Sequence, residues 1–252
     1  MFRPRLIPVL LLKKDFLVKS VQFKKHQYIG DPINAVKIFN DLKADELVFL
    51  DIDASKEKRL ISLDFVKDVG EEANMAFTVG GGIKSISDIR SIINAGAEKV
   101  IIGSAAYLNE NFIKDAANTF GSSTISVCID VKKNFWGTEK AWVMNGTKPI
   151  ADDVVDFAKK MENFGAGEII IQSIARDGMM NGYDIALVKK ISENLTIPVV
   201  ALGGAGKLSH LKDVYQQGYA NGLAAGSFFV YHDENKGVLI NYPKKEDLKK
   251  LK

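Results

Sequence analysis

The segment Gly80-Gly81-Gly82-Ile83-Lys84 returns in altered form as Gly203-Gly204-Ala205-Gly206-Lys207, 123 residues further along the chain. The same spacing of 123 residues separates Gly103-Ser104 from Gly226-Ser227. Similarity of a sequence to itself at one fixed spacing is typical of a chain that repeats a structural unit. We therefore expect two copies of one plan, at about residues 1–122 and 123–252.

Eight short apolar runs alternate along the chain with longer segments of helical apolar spacing, such as Val154, Phe157, Ala158 and Met161. Mostly uncharged runs of this length are typical of strands that are buried on both faces of a parallel sheet. The runs cover residues 6–12, 46–51, 76–79, 99–102, 124–130, 168–173, 198–201 and 222–225. Eight alternations in one chain of this size predict an α/β fold, a single (β/α)8 TIM barrel of two duplicated half-barrels. The functional residues are then expected at the C-terminal ends of the strands.

The composition is that of an ordinary globular protein, with 252 residues, 46% hydrophobic and 26% charged. A net charge of +3, with basic residues spread along the chain, gives no indication of nucleic-acid binding. The N-terminal segment has too few apolar residues for a signal peptide or a membrane span, so we expect a cytoplasmic protein. The single cysteine, Cys128, excludes an internal disulfide and is expected to be a buried thiol. No histidine or cysteine pair has metal-ligand spacing, and we expect no metal and no cofactor.

The duplicated glycines predict two phosphate sites on opposite sides of the barrel mouth. Glycine lets the backbone approach an anion closely, and the next helix presents free N–H groups and the positive end of its dipole. A small molecule with a phosphate at each end suits two such sites. The alternative is that these glycines only form tight turns. The predicted phosphate-binding residues are Gly81, Gly82, Gly103, Ser104, Gly204, Gly206, Gly226 and Ser227.

Several longer strings of the chain are distinctive, and they include Phe77-Thr-Val-Gly-Gly-Gly-Ile83, Ala44-Asp-Glu-Leu-Val-Phe-Leu-Asp-Ile52, Gly165-Ala-Gly-Glu-Ile169, Arg176-Asp-Gly178 and Gly203-Gly-Ala-Gly206. Together they resemble the cyclase subunit of imidazole glycerol phosphate synthase, and the resemblance fades only after about Tyr231. The resemblance implies a duplicated half-barrel that receives ammonia from a partner glutaminase through the barrel. It also implies two strand-end aspartates that act on a substrate with two phosphate ends.

The catalytic face matches this family only in part. Asp130 falls on the second catalytic aspartate, whereas Leu11 stands where the family has the first. Loss of one general acid or base typically lowers the rate by about 10² to 10⁴. By the same resemblance the substrate-binding residues are Lys19, in a long loop after the first strand, and Asp51, Gln172 and Asp177. The alternative for Asp130 is a strand-end acid that only caps a loop.

Four charged residues stand at the N-terminal ends of strands, namely Arg5, Glu46, Lys99 and Glu168, which we call the basal ring. The resemblance implies that this ring is the gate where ammonia enters from the glutaminase. The alternative is a set of ion pairs that only stabilises the bottom of the barrel.

Three functions remain open at this point. The first is a divergent synthase subunit of a glutamine amidotransferase, which docks a glutaminase at the N-terminal barrel face and supplies ammonia for amination of a phosphorylated or sugar substrate. A branch of such relatives is associated with sugar amidation for surface polysaccharides, so a separate sugar-amidating enzyme is a further expected partner. The second is an authentic histidine-pathway cyclase, and the third a phosphosugar-binding enzyme with unrelated chemistry. The sequence does not identify the acceptor of the ammonia.

Overall fold

The computed structural model describes residues 4–109, 111–150, 152–232, 237–249 and 251, without the side chain of Lys245. Its strands are β1 (Arg5–Lys13), β2 (Phe16–Val21), β3 (Lys24–Gly30), β4 (Glu46–Asp51), β5 (Ala76–Gly80), β6 (Lys99–Ile102), β7 (Ile125–Lys133), β8 (Glu139–Val143), β9 (Lys148–Pro149), β10 (Glu168–Ser173), β11 (Val199–Leu202) and β12 (Gly222–Ala225).

The helices alternate with these strands. They are α1 (Pro32–Asp41), α2 (Leu63–Glu72), α3 (Ile86–Asn94), α4 (Ser104–Leu108), α5 (Asn111–Phe120), α6 (Val154–Asn163), α7 (Ile185–Ser192), α8 (Leu208–Gly218), α9 (Ser227–Val230) and α10 (Lys245–Lys249). Side-chain caps begin several of them; Asp31, for example, accepts a hydrogen bond from Asn34 N at 2.8 Å, and a proline follows it. Among the described residues, no helix has both the length and the apolar character needed to cross a membrane.

Eight of the strands close into a parallel barrel in the order β1-β4-β5-β6-β7-β10-β11-β12, and β12 pairs with β1. This confirms the predicted (β/α)8 barrel. Alternate residues of each strand point inward, so Ile7, Val9 and Leu11 of β1 lie in the interior cluster with Val48 and Val200. The larger cluster lies between strands and helices. The predicted boundary between the halves falls in a short 3₁₀ helix, Ser122–Thr124.

Two antiparallel hairpins extend the barrel at its C-terminal face. Strands β2 and β3 follow β1, and strands β8 and β9 follow β7. The prediction that Lys19 lies in a long loop is therefore wrong: Lys19 lies in β2 and pairs with Gln27 of β3. The residues that follow β1 do not show the apolar run typical of a buried strand, because lysines and Asp15 interrupt it. For this reason the sequence predicts a loop there.

The two halves do not repeat at one spacing throughout. The left-handed glycine pairs are Gly81-Gly82 and Gly203-Gly204, which are 122 residues apart, as are the helices that begin after them at Ile86 and Leu208. The caps of the short helices, Gly103 and Gly226, keep the spacing of 123 residues. The second half therefore has one extra residue between Leu208 and Gly226, and helix α8 in this segment has 11 residues where α3 has 9.

Candidate functional site

The C-terminal ends of the strands surround an open cavity with an empty volume of about 1040 Å³, which we call the mouth cavity. It lies mainly over the first half of the barrel. The predicted site residues that line it are Leu11, Asp51, Gly81, Gly82, Gly103, Ser104, Asp130 and Gln172. The strands thus bring one of the two predicted phosphate sites and the predicted catalytic position together.

A second, smaller cavity of about 340 Å³ lies over the other half of the barrel, and we call it the second-half cavity. Leu11 and Gln172 line both cavities, so the two are neighbours. The other predicted residues that line the second-half cavity are Lys19, Asp177, Gly204, Gly226 and Ser227. Gly206 lines neither cavity. Its N–H donates to Nδ1 of His210 at 3.2 Å, and burial lowers the pKa of His210, which favours the neutral ring that can accept this bond.

Lys19 is the most unusual group of the second-half cavity. Its side chain is buried, yet the ammonium donates no hydrogen bond to any residue in the described part of the chain and has no carboxylate within 4.0 Å there. Burial lowers the pKa of Lys19, and the charge of Asp177 offsets this only in part. The ammonium occupies the space that a Cβ atom on Gly226 would need. A buried cation without a partner is costly unless an anion joins it.

Asp130 lies in β7, where this strand pairs with both β10 and β8, and it lines the mouth cavity. The pKa of Asp130 is raised from 3.8 to about 7, chiefly by burial. A hydrogen bond from the Cys128 thiol at 3.8 Å opposes this rise, and the charge of Asp177 adds to it. A carboxyl with a pKa near neutrality can exchange protons at physiological pH. Leu11 also faces this cavity, as an alkyl group. The thiol itself is half-buried rather than fully buried, and burial raises the pKa of Cys128 well above its usual range.

The carboxylate of Asp51 is already bound by neighbouring groups. Arg59 donates to both of its oxygens, at 2.5 and 3.2 Å, and the N–H groups of Asp53 and Ala54 donate to Oδ1 at 3.1 Å. These bonds raise the pKa of Arg59. Sequence reasoning missed Arg59, because only the folded loop brings it back to the strand end. Asp51 lines the mouth cavity chiefly as the anchor of this loop.

Asp177 is engaged in a similar way by the hairpin of β2 and β3. Ser20 Oγ donates to its carboxylate at 2.7 Å and Phe23 N at 3.3 Å, while Gln22 N donates to its backbone oxygen at 3.0 Å. Asp177 therefore holds the turn of this hairpin over the mouth.

The turn between β8 and β9 also reaches the mouth. Met144 N donates to Ser104 Oγ at 2.9 Å, and the Asn145 side-chain amide donates to the backbone oxygen of Ile52. Asn145 lines the mouth cavity, although the sequence carried no signal for it beyond an Asn-Gly turn. The hydroxyl of Ser104, predicted to bind phosphate, thus already accepts a hydrogen bond from within the chain.

Close packing accounts for several of the predicted phosphate glycines. A Cβ atom on Gly82 would collide with the backbone oxygen of Arg59, and one on Gly204 with that of Gly182. Both residues also have positive φ, at 69° and 112°. Gly103, in contrast, has nothing within 4 Å of the same position, so its backbone faces open space in the mouth cavity.

The basal ring is a connected cluster at the opposite end of the barrel. Arg5 donates from Nη1 to Glu46 at 2.6 Å and from Nη2 to Glu168, and Lys99 Nζ lies 3.4 Å from Glu46. Burial alone would lower the pKa of Arg5, but Glu168 and Glu46 offset this and raise it. Two hydroxyls that sequence reasoning missed complete the cluster: Thr78 donates to Glu46 at 2.9 Å, and Ser126 donates to Glu168 at 3.1 Å.

A narrow interior cavity lies above this ring, and its volume of roughly 10 Å³ has room for about one water-sized molecule. Glu46, Thr78 and Glu168 line its lower end, and its walls are otherwise apolar. Its upper wall is shared with the mouth cavity, since both are lined by Leu50, Ile101 and Cys128. Within the described residues, no three histidine, cysteine or acidic side chains are grouped so as to hold a metal ion.

Comparison with known proteins places these features in a family. The family described as "Histidine biosynthesis protein" matches residues 5–235 of the chain. A Pseudomonas aeruginosa protein with a provisional name as imidazole glycerol phosphate synthase subunit hisF2 is 42% identical over 251 residues, covering 100% of this chain and 99% of the relative. A Leptospira borgpetersenii protein, provisionally named subunit HisF, is 44% identical over 252 residues, with coverage of 100% and 99%. The imidazole glycerol phosphate synthase subunit HisF of Alkaliphilus metalliredigens is 42% identical over 233 residues, with coverage of 92% of each chain.

Proposed function

The chain belongs to the histidine biosynthesis protein family as a HisF-like, cyclase-type enzyme subunit, and from this premise we propose that it uses ammonia made by a glutaminase partner. In this proposal the glutaminase docks on the N-terminal barrel face at the basal ring. Ammonia crosses the barrel and leaves at the mouth cavity.

The observation that carries the proposal is the position of the basal ring directly below the interior cavity. A stabilising ion-pair cluster needs no empty apolar space behind it. Ammonia is small and neutral, so it can enter an apolar cavity that ions avoid because of their desolvation cost. The cavity extends from Glu46 and Glu168 to Cys128, whose other side lines the mouth cavity. Opening the ring would admit ammonia at the bottom, and movement of the upper wall would release it beside Asp130.

The mouth supports a different reaction from histidine-pathway cyclisation. That reaction uses two opposed carboxyl groups in the family, and here Leu11 presents an alkyl group to the cavity that holds Asp130. One carboxyl cannot serve as acid and base at once in a concerted proton exchange. We therefore infer that the barrel cyclises the family substrate poorly and delivers its ammonia to another acceptor.

The acceptor class follows from the two cavities that flank Leu11. Gly103 faces the mouth cavity with open backbone, and the ammonium of Lys19 faces the second-half cavity without a partner. Both features favour an anionic ligand, such as a phosphorylated small molecule. Amidation of a sugar by a separate enzyme, as in the divergent relatives that the sequence resembles, is the form of this function that we propose.

The deciding experiment measures imidazole glycerol phosphate formation from the family substrate, with ammonium salt as the nitrogen source. We expect a rate about 10² to 10⁴ below that of a two-aspartate relative assayed in parallel. In the same preparation, a glutaminase subunit from the same organism should bind the chain and be stimulated by it. A rate equal to that of the relative contradicts the divergent reaction, and absence of glutaminase binding contradicts the ammonia supply.

One observation favours the second candidate, an authentic histidine-pathway cyclase. The pKa of Asp130, raised to about 7, suits a single carboxyl that alternates between acid and base in separate steps. The same assay separates the two candidates, because only the authentic cyclase turns over the family substrate at the family rate.

A further inference from the structure

Two neighbouring aromatic side chains stand fully in solvent at the tip of the hairpin of β7 and β8. Phe135 is 94% exposed and Trp136 is 84% exposed. Their rings contact each other edge to face, with centroids 5.6 Å apart. Large aromatic side chains contribute strongly to binding when an interface buries them, and they are enriched at protein interfaces.

The turn that carries this pair is well defined. Oδ1 of Asn134 accepts hydrogen bonds from Trp136 N at 3.0 Å and from Thr138 N at 2.9 Å. Asn134 N donates in turn to the Thr138 oxygen at 2.8 Å. The strand from Asp130 to Lys133 places this turn at least roughly 10 Å beyond the predicted catalytic position. The aromatic rings are therefore held out above the rim of the mouth by an ordered turn.

A second exposed aromatic pair lies on the other hairpin. Phe16 of β2 and Tyr28 of β3 are 51% and 61% exposed, and their ring centroids are also 5.6 Å apart. The two hairpins follow β1 and β7, which lie on opposite sides of the eight-stranded barrel. They meet over the mouth, where a Cβ atom on Gly146 would lie 3.3 Å from the ring of Phe23. The hairpins that carry the two aromatic pairs thus rise from opposite sides of the barrel mouth.

The same hairpins carry most of their charge as lysine. Residues 13–30 and 131–149 contain nine lysines, of which Lys19 is buried in the second-half cavity. The other eight are exposed or half-buried, namely Lys13, Lys14, Lys24, Lys25, Lys132, Lys133, Lys140 and Lys148. Their two acidic residues are Asp15 and Glu139, and Glu139 is 3.4 Å from Lys190. The basic residues that the sequence shows as dispersed are concentrated by the fold at this rim, although the net charge of the whole chain is only +3.

We propose that the hairpins of residues 13–30 and 131–149 form a docking surface for a second protein, with acidic surface residues, that covers the mouth cavity. This inference rests on the proposed function, because a barrel that exports ammonia at its mouth needs an acceptor enzyme there to keep the ammonia from water. Exposed aromatic anchors bordered by lysines complement a partner that offers apolar pockets bordered by carboxylates.

A protein fits this surface better than a membrane or a nucleic acid does. The two hairpins rise on opposite sides of an open cavity, so a flat bilayer or a flexible strand would cover the exit without receiving the ammonia. A folded partner can contact both hairpins and still present its own active site over the opening.

The first experiment places a photo-reactive benzophenone amino acid at position 136 of the full-length chain in its native cells. The matched control carries the same group at position 38, since Ile38 is exposed on helix α1, outside both hairpins. The protein captured at position 136 is then purified, and its affinity for the wild-type chain is measured directly. We expect the double variant Phe135→Ser, Trp136→Ser to bind the captured protein at least tenfold more weakly than the wild type does. The double variant Lys132→Glu, Lys133→Glu should lose more affinity at low salt than at high salt. Ile38→Ser should bind as tightly as the wild type.

Glutaminase stimulation by the Phe135→Ser, Trp136→Ser variant is measured in parallel and should equal that of the wild type. This measurement separates the docking surface from the ammonia supply. Loss of partner binding with normal glutaminase stimulation supports the docking surface, whereas a wild-type chain that does not stimulate the glutaminase contradicts only the ammonia supply. The docking surface is wrong if position 136 captures no more protein than position 38, or if the captured protein binds the serine variant as tightly. It is also wrong if vesicles of anionic phospholipid or a single-stranded RNA bind the wild type and this binding is lost in the serine variant.

Discussion

The ammonium group of Lys19 fills the space next to the Cα of Gly226 that any larger residue at position 226 would need. Lys19 comes from the hairpin of the first half of the barrel, and Gly226 directly follows the last strand of the second half. The second-half cavity is therefore completed by a residue from the other half of the chain.

We predict that Gly226→Ala moves the Lys19 ammonium out of the second-half cavity. The severe clash of the new methyl group is with the flexible end of Lys19, while the Val9 backbone oxygen is 3.2 Å away. The φ of Gly226 is an ordinary −100°, so the loss of stability should stay at about 1 kcal/mol. Titration with inorganic phosphate should show a several-fold weaker affinity. Lys19→Met should weaken phosphate binding to the same extent. Unchanged phosphate affinity in both variants would show that no anion binds beside Lys19.

Leu11→Asp should raise ammonia-dependent turnover of the family substrate by about 10²-fold, because it restores a second carboxyl opposite Asp130. The control is Leu11→Asn, which has nearly the same shape but exchanges no proton and should give no increase. Steady-state rates with saturating ammonium salt make the comparison. Equal rates for the aspartate and asparagine variants would mean that the missing carboxyl is not what limits cyclisation.

Lys99→Ala should impair the transfer of ammonia from the glutaminase but not the reaction that consumes ammonia. Lys99 lies 3.4 Å from Glu46, and loss of a pair of this kind removes about 0.5–1 kcal/mol from the ring, or roughly a threefold change in the populations of its states. Output with glutamine should fall by about that factor, while output with ammonium salt should not change. Lys37→Ala removes a surface pair with Glu72 on the helical layer and is the matched control. Equal losses with both nitrogen sources would assign Lys99 a purely structural role.

The carboxyl of Asp130 should make stability depend on pH. Its pKa in the folded protein, about 7, lies above the ordinary value of 3.8, so the folded chain binds this proton more tightly than the unfolded chain does. The stability that it contributes is complete below pH 4 and is lost as the pH rises to about 7. Asp130→Asn removes this loss. Urea unfolding should find the variant more stable relative to wild type at pH 8 than at pH 4, by on the order of 2 kcal/mol after allowance for solvent at the mouth. A constant difference between the two pH values would contradict a raised pKa.

The barrel and the basal ring could be predicted because both follow from short-range pattern. Apolar runs such as residues 168–173 predict buried strands, and the first residue of a parallel strand always lies at the same end of the barrel. Arg5, Glu46 and Glu168 could thus be placed together before the fold was known, and the structure joins them directly.

The partners of the mouth residues could not be predicted, because they depend on how loops fold back. Asp51 was expected to face substrate, yet Arg59, eight residues later, takes both of its oxygens. Asp177 likewise accepts hydrogen bonds from Ser20 and Phe23, which are more than 150 residues away in the chain. Polar residues at strand ends form hydrogen bonds with the loop that packs against them in the folded chain. The periodic spacing of apolar residues along the sequence does not indicate which loop that is.

The two hydroxyls of the basal ring determine how it can open. If the Arg5 side chain rotates out of the ring, Glu46 still accepts hydrogen bonds from Thr78 and Lys99. Glu168 still accepts one from Ser126, so each carboxylate keeps at least one hydrogen-bond donor. No strand or helix has to shift for this. In the proposed gate, rotation of this one long side chain would therefore be enough to open the basal ring, and the barrel wall around it would not have to move.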